Sequence, residues 1–368
     1  MLIKRVMRLV VSGMPVIIVV VLLYVAFFVK PQPGKATLKP YPIVRRDYFY
    51  GVAMPTPTTI WAVGSHGKVV RSDDAGKSWV VQATPTLVHL QDIAAWDDKR
   101  ACAVGTEGVV LVTRDGGKSW TQVKTPLDEV VKVETAGGLT VNLGTTEAMS
   151  EEKEEGPVSQ VAKKLMVVRA SPDGSAWAVG EMGAVLYSKD FGKTWERRMK
   201  PEDVGWNDCF FLGQKGWIIG EFGRIMRTDD GGITWTAVKA PLTPDEMGVV
   251  PSIMGVAFRD EEHGVAVGLG GMILITEDGG KRWVKVPEVT REHLFRVIWD
   301  GAQWVAVGDK GIMFKGDPSG VKWSGGRITD LDTSWYTAVW RIGDRYYLAG
   351  DRLARLEKGV VEFFDRKR

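Results

Sequence analysis

The stretch SDDAGKSW, from Ser72 to Trp79, combines a hydroxyl residue, an aspartate, a glycine and a tryptophan at fixed offsets. Similar octets follow along the chain: TRDGGKSW (113–120), SKDFGKTW (188–195), TDDGGITW (228–235), TEDGGKRW (276–283) and the degenerate GDPSGVKW (316–323). A catalytic constellation is normally assembled once per chain, whereas an octet that recurs along the chain indicates a repeated structural unit.

A second repeated feature is a glycine that follows a short apolar run, such as WAVG, about eight residues before each octet. It occurs seven times, the last without an octet: Gly64, Gly105, Gly180, Gly220, Gly268, Gly308 and Gly350. Five of the six intervals are 40 to 48 residues long, which is typical of β-propeller blades, and the sixth is 75. The long interval contains one unit and an insertion.

Each unit is rich in strand-forming residues. Segments such as GKVVRSD (67–73) have glycine ahead and turn residues behind, and apolar runs such as IMGVAF (253–258) precede each AVG sequence. With the residues after each octet, a unit supplies four strands. The sequence therefore predicts an all-β fold, a seven-bladed β-propeller of four-stranded blades, over 43–368.

The octet is predicted to join the third strand of a blade to the fourth. Its aspartate accepts hydrogen bonds from turn N–H groups, its glycine supplies a positive φ, and its tryptophan packs between neighbouring blades. We therefore interpret these aspartates and tryptophans as structural: Asp74, Trp79, Asp115, Trp120, Asp190, Trp195, Asp230, Trp235, Asp278 and Trp283.

The octet resembles the Asp-box, or BNR repeat, of sialidases and other propellers. The longer pattern, as in WAVGSHGKVVRSDDAGKSW (61–79), is similar to the photosystem II assembly and stability factors of chloroplasts and cyanobacteria and to their bacterial relatives. This resemblance covers nearly all of 43–368. It implies the propeller fold and, by analogy, an accessory role toward an integral membrane protein complex.

The N-terminus has a different character. Leu9 to Val29 contains 21 residues without a charge, enough for a transmembrane helix, after a short basic tail (1–8). A cleaved signal peptide is the alternative, but YVAFFVKPQPG is a poor cleavage site. We expect a single-pass anchor in the inner (cytoplasmic) membrane, a Pro-rich linker (30–42), and a propeller in the periplasm or extracytoplasmic space.

The insertion, 124–164, contains VVKVETAGGLTVNLG followed by the acidic SEEKEEGPVSQ. The first piece predicts a β-hairpin around Gly137 and Gly138, and the second a solvated loop; a degenerate eighth blade is the alternative. Cys102 and Cys209 fall in units that are not neighbours, so we expect two buried free thiols rather than a disulfide.

The sequence carries few signals of chemistry. Its four histidines are scattered, and neither a metal-binding nor a nucleotide-binding motif is present, so we predict no metal site, no cofactor and no catalytic residues. A net charge of +3 is too small to indicate nucleic-acid binding. A sialidase-like glycoside hydrolase, or a carbohydrate-binding propeller, is the alternative. The Arg-Ile-Pro strand expected of sialidases is absent; IVRRDYFYGVAMP (43–55) stands there.

The predicted partner-binding residues come from the beginnings of the innermost strands, where large side chains should lie near the central channel. Trp, Tyr and Arg commonly anchor protein partners. The candidates are Trp206, Phe295, Arg296, Trp335 and Tyr336. The expected partner is an integral membrane protein or complex, either photosystem II-like by resemblance or an envelope transporter.

Overall fold

The computed structural model describes residues 41–128, 131–134, 140–143, 163–244 and 248–365, together with three isolated N-terminal positions. The residues from Pro42 onward form one compact unit. It contains seven sheets of four antiparallel strands, each sheet built from consecutive segments of the chain. The predicted all-β, seven-bladed propeller is therefore confirmed.

Blades 1 to 4 contain the following strands. Blade 1 has β1 (Phe49–Ala53), β2 (Ile60–Gly64), β3 (Val69–Ser72) and β4 (Val80–Gln82), and blade 2 has β5 (Leu90–Ala95), β6 (Ala101–Gly105), β7 (Val110–Thr113) and β8 (Thr121–Gln122). After the hairpin β9 (Val131–Glu134) and β10 (Thr140–Leu143), blade 3 has β11 (Leu165–Ala170), β12 (Ala176–Gly180), β13 (Val185–Ser188) and β14 (Glu196–Arg197). Blade 4 has β15 (Trp206–Leu212), β16 (Lys215–Gly220), β17 (Arg224–Thr228) and β18 (Thr236–Lys239).

Blades 5 to 7 complete the ring. Blade 5 has β19 (Ile253–Phe258), β20 (Gly264–Gly268), β21 (Ile273–Thr276) and β22 (Val284–Lys285), and blade 6 has β23 (Leu294–Trp299), β24 (Trp304–Gly308), β25 (Ile312–Gly316) and β26 (Trp323–Arg327). Blade 7 has β27 (Tyr336–Ile342), β28 (Arg345–Gly350), β29 (Ala354–Glu357) and β30 (Val360–Phe363). Short 3₁₀ turns at Ser65–Gly67, Glu221–Gly223, Leu269–Gly271 and Asp309–Gly311 connect second to third strands.

Because the strands alternate in direction, the connections of all blades fall on two faces. We call the face at which each innermost strand begins the start face; it carries the connections between blades and those from second to third strands. The opposite end face carries the connections from first to second strands and the octets. Any surface feature of the propeller can be assigned to one of these faces or to the outer edge.

The core is divided among the blade interfaces. Seven apolar clusters each join two neighbouring blades, and one of them joins blade 7 to blade 1. There, the ring of Trp79 packs on Phe364 at 5.2 Å, and the Tyr347 hydroxyl donates to the Ala75 carbonyl at 3.1 Å. Among the described strands, no blade combines segments from the two ends of the chain, so side-chain packing closes the ring.

The octets form stereotyped turns on the end face. The Ser72 hydroxyl donates to the Asp74 carboxylate (2.7 Å) and accepts the Gly76 N–H (2.8 Å), and the carboxylate accepts the Ser78 N–H (2.8 Å). Equivalent backbone bonds surround Asp115, Asp190, Asp230 and Asp278. The octet tryptophan immediately precedes the fourth strand in each case. Trp195, for example, lies in the cluster between blades 2 and 3.

The glycine that follows each short apolar run, in AVG at five positions, in IIG at Gly220 and in LAG at Gly350, is explained by a close backbone approach. A Cβ on Gly308 would lie 1.9 Å from the His293 carbonyl oxygen, which itself accepts the Asp309 N–H at 2.9 Å. A Cβ added to any of these seven glycines would lie 1.8 to 2.3 Å from the equivalent carbonyl oxygen. Only a residue without a side chain fits there, which is why this glycine recurs in every unit.

Several expectations concern residues outside or at the edge of the described chain. Apart from three isolated positions, the anchor 9–29 lies outside the described residues, as does most of the linker. Among the residues that are described, no helix is long and apolar enough to span a membrane. The predicted hairpin is present as the antiparallel pair β9–β10, a two-stranded sheet rather than a blade; the acidic loop lies outside the described residues. Cys102 and Cys209 are buried free thiols.

Candidate functional site

The register of the innermost strands decides which side chains reach the channel. In each blade a bulge follows the first residue of this strand, between the first and third positions. The first residues are all fully buried: Phe49, Leu90, Leu165, Trp206, Ile253, Leu294 and Tyr336. The second residues are all partly exposed: Tyr50, Gln91, Met166, Asn207, Met254, Phe295 and Thr337. The third residues are buried again, so the second position faces the channel on the start-face side.

This register separates the five predicted partner-binding residues. Trp206 and Tyr336 occupy the first position and have no exposed surface; the Tyr336 hydroxyl donates to Asp332 at 2.8 Å. A rigid propeller cannot present them to a partner, so we correct the prediction for these two. Arg296 occupies the third position and is turned into an internal ion-pair cluster. Phe295 and Trp335 keep partly exposed rings on the start face.

Trp335 belongs to an aromatic cluster at the channel mouth, formed by Tyr48, Tyr50, His66, His89 and Trp335. The Trp335 ring stacks on Tyr50 with centroids 5.6 Å apart and lies 6.0 Å from Tyr48. Tyr50 meets His89 edge-on at 6.2 Å, and His89 lies 5.3 Å from His66. Burial, assisted by the neighbouring Tyr48, raises the pKa of Tyr50. The hydroxyl therefore stays protonated at neutral pH and remains a hydrogen-bond donor.

Sequence reasoning missed Tyr48, His66 and His89 as site residues. They come from the lead-in to blade 1, a turn within it and the connection to blade 2, whereas Trp335 precedes blade 7. Ring closure brings Trp335 to the first blade, 285 residues from Tyr50 in sequence. No local motif marks the group. The only available signal was the predicted neighbourhood of the first and last blades.

A charge cluster of Asp92, Arg169, Asp208 and Arg296 crosses the channel below the mouth. Arg169 donates to Asp92 at 2.7 Å and to Asp208 at 2.6 Å, and Arg296 donates to Asp208 at 2.9 Å. Burial alone lowers the pKa of Arg169, but the two carboxylates raise it above its ordinary value. Backbone N–H groups of Val168 and Val256 complete the hydrogen bonding of the aspartates. The cluster ties four blades together with its charges paired.

The end face contains a separate cavity of about 590 Å³. Its lining includes the aromatic side chains of Trp96, Phe210, Trp299 and Trp340, and three members of the charge cluster, Asp92, Arg169 and Arg296. The remaining lining carboxylate outside the charge cluster, Asp300, accepts the Tyr346 hydroxyl at 2.5 Å and pairs with Arg341 at 3.2 Å. Each carboxylate that lines the cavity is thus already bound to a guanidinium or hydroxyl group.

The described part of the chain contains no group of three or more His, Cys, Asp or Glu side chains arranged to hold a metal ion. The two neighbouring histidines of the start face, His66 and His89, contribute their rings to the aromatic cluster. What the start face offers chemically is a rigid aromatic surface with polar edges, which is the usual composition of a protein-binding hot spot.

Comparisons with known proteins agree with the predicted resemblance. The family model described as "Photosynthesis system II assembly factor YCF48" matches residues 132–227 and 157–245. The structure described as "YCF48 bound to D1 peptide" is 15% identical, with a TM-score of 0.59, and the match covers 88% of this chain and 94% of that one. The structure described as "YCF48 from Cyanidioschyzon merolae" is also 15% identical, with a TM-score of 0.59, and the match covers 87% of this chain and 96% of that one. The resemblance to the photosystem II assembly factor-like propellers is thereby confirmed.

The same fold also supports other activities. "AFV00434, an ancestral GH74 enzyme" is 12% identical to this chain with a TM-score of 0.59, and the match covers 84% of this chain and 44% of that one. No curated protein sequence matches the chain. At such low identities these likenesses concern the fold alone.

Proposed function

We propose that this chain, a propeller of the photosystem II assembly factor-like family, is a non-enzymatic accessory or assembly factor that binds a segment of an integral membrane protein through its start face. The observation that carries the proposal is the aromatic cluster, in which Trp335 stacks on Tyr50 at 5.6 Å at the mouth of the channel. Stacked, partly exposed rings held by rigid strands present a large contact area at little entropic cost.

The class of partner is supported by the comparison with the structure described as "YCF48 bound to D1 peptide". A propeller of the same family therefore binds a peptide. In this chain the channel mouth adds Met166, Met254 and Phe295 to the cluster, all on partly exposed second positions of inner strands. Flexible methionines beside rigid aromatic rings suit a peptide with apolar side chains.

The setting of the proposal is the membrane. The charge-free segment 9–29 acts as a single-pass anchor in the inner membrane, with 1–8 in the cytoplasm and the propeller on the extracytoplasmic side. A tethered propeller meets membrane partners at a raised effective concentration. The partner is a photosystem II-like complex in a photosynthetic cell and an envelope complex, such as a transporter, elsewhere.

The test compares two tryptophans of the same blade. Trp335 lies on the start face, and Trp340 is 42% exposed at the end-face cavity. Full-length parent, Trp335→Ala and Trp340→Ala are crosslinked in native membranes, and the captured proteins are identified and quantified. Trp335→Ala is expected to weaken capture by about 1–3 kcal/mol, as loss of a hot-spot aromatic does, while Trp340→Ala captures as the parent does.

The reverse result, with capture lost in Trp340→Ala and kept in Trp335→Ala, would place the binding site in the end-face cavity. Thermal unfolding of all three proteins shows whether a loss of capture reflects a loss of fold. Turnover of a chromogenic sialoside or other glycoside by the purified parent would contradict the hypothesis of a non-enzymatic factor. It would support the alternative hypothesis of a glycoside hydrolase.

A further inference from the structure

Large apolar side chains are unevenly exposed on the two faces of the propeller. On start-face connections Leu331 is 93%, Leu87 is 82% and Phe222 is 58% exposed, and Tyr48 and Val44 are exposed as well. On the end face the exposed large apolar side chains are Ile233 and Val321 in the octets and Trp340 at the cavity. Scattered apolar residues are normal on a protein surface, but a group of them on one rim indicates an interaction surface.

Most of the start-face group lies in one sector of the ring. Leu331 precedes blade 7, Val44 lies in the lead-in to blade 1, and Leu87 lies in the connection from blade 1 to blade 2. Two exposed arginines, Arg45 and Arg46, lie in the same lead-in. Arg45 pairs with Asp351 of the blade 7 turn at 3.2 Å, which fixes the lead-in to this face. We call these five residues, Val44, Arg45, Arg46, Leu87 and Leu331, the rim patch.

The chain that precedes the rim patch limits how far the patch can lie from the charge-free segment. The segment ends at Val29, and 11 residues, 30–40, separate it from Tyr41. A fully extended chain of that length spans at most about 40 Å. A patch beside this attachment point would be held near any bilayer that the segment crosses, whereas the end face lies on the far side of the propeller from the attachment point.

From these observations we propose that the rim patch is a lipid-contacting surface, whose apolar tips enter the headgroup region of the bilayer while Arg46 contacts lipid phosphates. Leucines on loop tips supply apolar area at the interface, and arginine binds phosphate through paired N–H groups. This inference rests on the membrane setting of the proposed function. It adds an orientation, in which the aromatic cluster faces the bilayer and captures a partner segment at the membrane surface.

The experiment places an environment-sensitive fluorophore at single introduced cysteines in the full-length protein. Leu87→Cys and Leu331→Cys report on the rim patch, and Ile233→Cys, at a site that is 72% exposed on the end face, is the matched control. Cys102 and Cys209 are buried, and the labelled parent gives their background signal. Each protein is reconstituted into vesicles of phosphatidylcholine with phosphatidylglycerol, in the absence of any other protein.

We expect the labels at positions 87 and 331 to emit at shorter wavelength than in detergent-free buffer and to be quenched by lipids that carry a spin label near the headgroup. The label at 233 should emit as in water and escape quenching. Arg46→Glu should reduce quenching at position 87 in these vesicles. Aqueous emission at 87 and 331 in protein that co-sediments with vesicles would overturn the lipid-contact proposal and leave a protein partner as the occupant.

The two proposals can fail separately. If the protein does not co-sediment with the vesicles, this result contradicts the membrane anchor in the proposed function. Binding of the labelled protein to preformed vesicles then tests the rim patch alone. In that arm, unchanged emission at 87 and 331 counts against the patch, and a shift at these two positions without one at 233 supports it.

Discussion

The start face and the end face are built from the same seven units but use their turns differently. On the end face the octets repeat almost the same side chains, because the aspartate and hydroxyl groups make the turn's hydrogen bonds. On the start face six turns between second and third strands share a residue with φ between 51° and 67°, yet their side chains all differ: His66, Glu107, Met182, Phe222, Gly270 and Lys310.

This difference shows what holds each turn. On both faces a residue with positive φ is followed by a glycine that also has a positive φ, as in Phe222-Gly223 of a start-face hairpin turn and Phe191-Gly192 of an octet. The octets add the hydrogen bonds of their aspartate and hydroxyl side chains. On the start face the backbone and the glycine specify the turn, so the preceding side chain is free to vary. Variation among copies is therefore concentrated on the face to which we assign binding.

The largest expected effect tests the structural role of the end face. Trp195→Ala removes a buried ring from the cluster between blades 2 and 3, together with its N–H bond to the Gly192 carbonyl at 3.0 Å. We expect the free energy of unfolding to fall by about 3–5 kcal/mol, as for other buried aromatic truncations. Chemical denaturation measures it, and a loss below about 1 kcal/mol would mean that the interface repacks around the cavity.

A somewhat smaller loss of stability is expected where Gly308 approaches the His293 carbonyl group near the start face. Gly308→Ala forces a Cβ against the His293 carbonyl oxygen, which belongs to the backbone and cannot move aside. We expect a loss of about 3 kcal/mol, as in overpacked sites. Gly326→Ala, in the same blade, is the control, because no atom lies within 4 Å of its Cβ position. Equal stability of the two variants would refute the explanation of the recurrent glycine.

The octet aspartates of the end face should make the stability of the protein depend on pH. The hydrogen bond from the Ser78 hydroxyl, followed by that from the Ser78 N–H, lowers the pKa of Asp74 to about 2, and bonds from Ser119 and Thr234 do the same for Asp115 and Asp230. Because these pKa values lie below that of an unfolded aspartate, about 3.9, the stabilisation is complete above pH 4 and is lost as the pH falls toward 2.

The corresponding measurement is unfolding at pH 5 and at pH 2.5 for the parent and for the triple variant Asp74→Asn, Asp115→Asn, Asp230→Asn. We expect the parent to lose more stability than the triple variant over this interval, since asparagine does not titrate. The same pH dependence in both proteins would show that other carboxylates govern acid unfolding.

The smallest expected change in stability concerns two phenylalanines with nearly the same backbone conformation. Phe191, in an end-face octet, and Phe222, in a start-face turn, have φ of 58° and 55°. Phe191 packs edge-on against Trp96 at 5.6 Å and beneath the Arg100 guanidinium at 3.8 Å, whereas Phe222 is exposed. Phe191→Gly should cost about 1–2 kcal/mol of stability through these contacts.

Phe222→Gly should change stability by less than about 0.5 kcal/mol, because the relief of left-handed strain offsets the added freedom of the unfolded chain. Thermal or denaturant unfolding of the two variants side by side measures the difference. A larger loss for Phe222→Gly than for Phe191→Gly would reverse the assignment of structural and variable faces.

The fold was predictable because its signals are local and repeated. Each octet contains every group that its turn needs within eight residues, and each AVG glycine marks the same backbone approach. Repetition also predicted the number of blades, and the local pattern around Gly137 and Gly138 predicted the hairpin of the insertion. The candidate site was predicted only in part: Phe295 and Trp335 lie on the start face, but Trp206 and Tyr336 are buried.

The reason is the bulge in each innermost strand. Side chains alternate between the two sides of a strand, so a shift of one position exchanges a channel residue for a buried one. The sequence shows a large residue at the start of these strands but not on which side of the bulge it falls. Trp206 and Asn207 are neighbours in sequence, yet one is fully buried and the other is partly exposed.

The sequence by itself determined the all-β repeat, its seven blades and the structural role of the octets, because hydrogen bonds within a turn and a forbidden Cβ depend on nearby residues. Only the tertiary structure decided that Tyr48, Tyr50, His66, His89 and Trp335 form one cluster and that Asp92, Arg169, Asp208 and Arg296 form another. Both groups are assembled across the channel or across the closure of the ring, and contacts between distant blades leave no periodic trace in the chain.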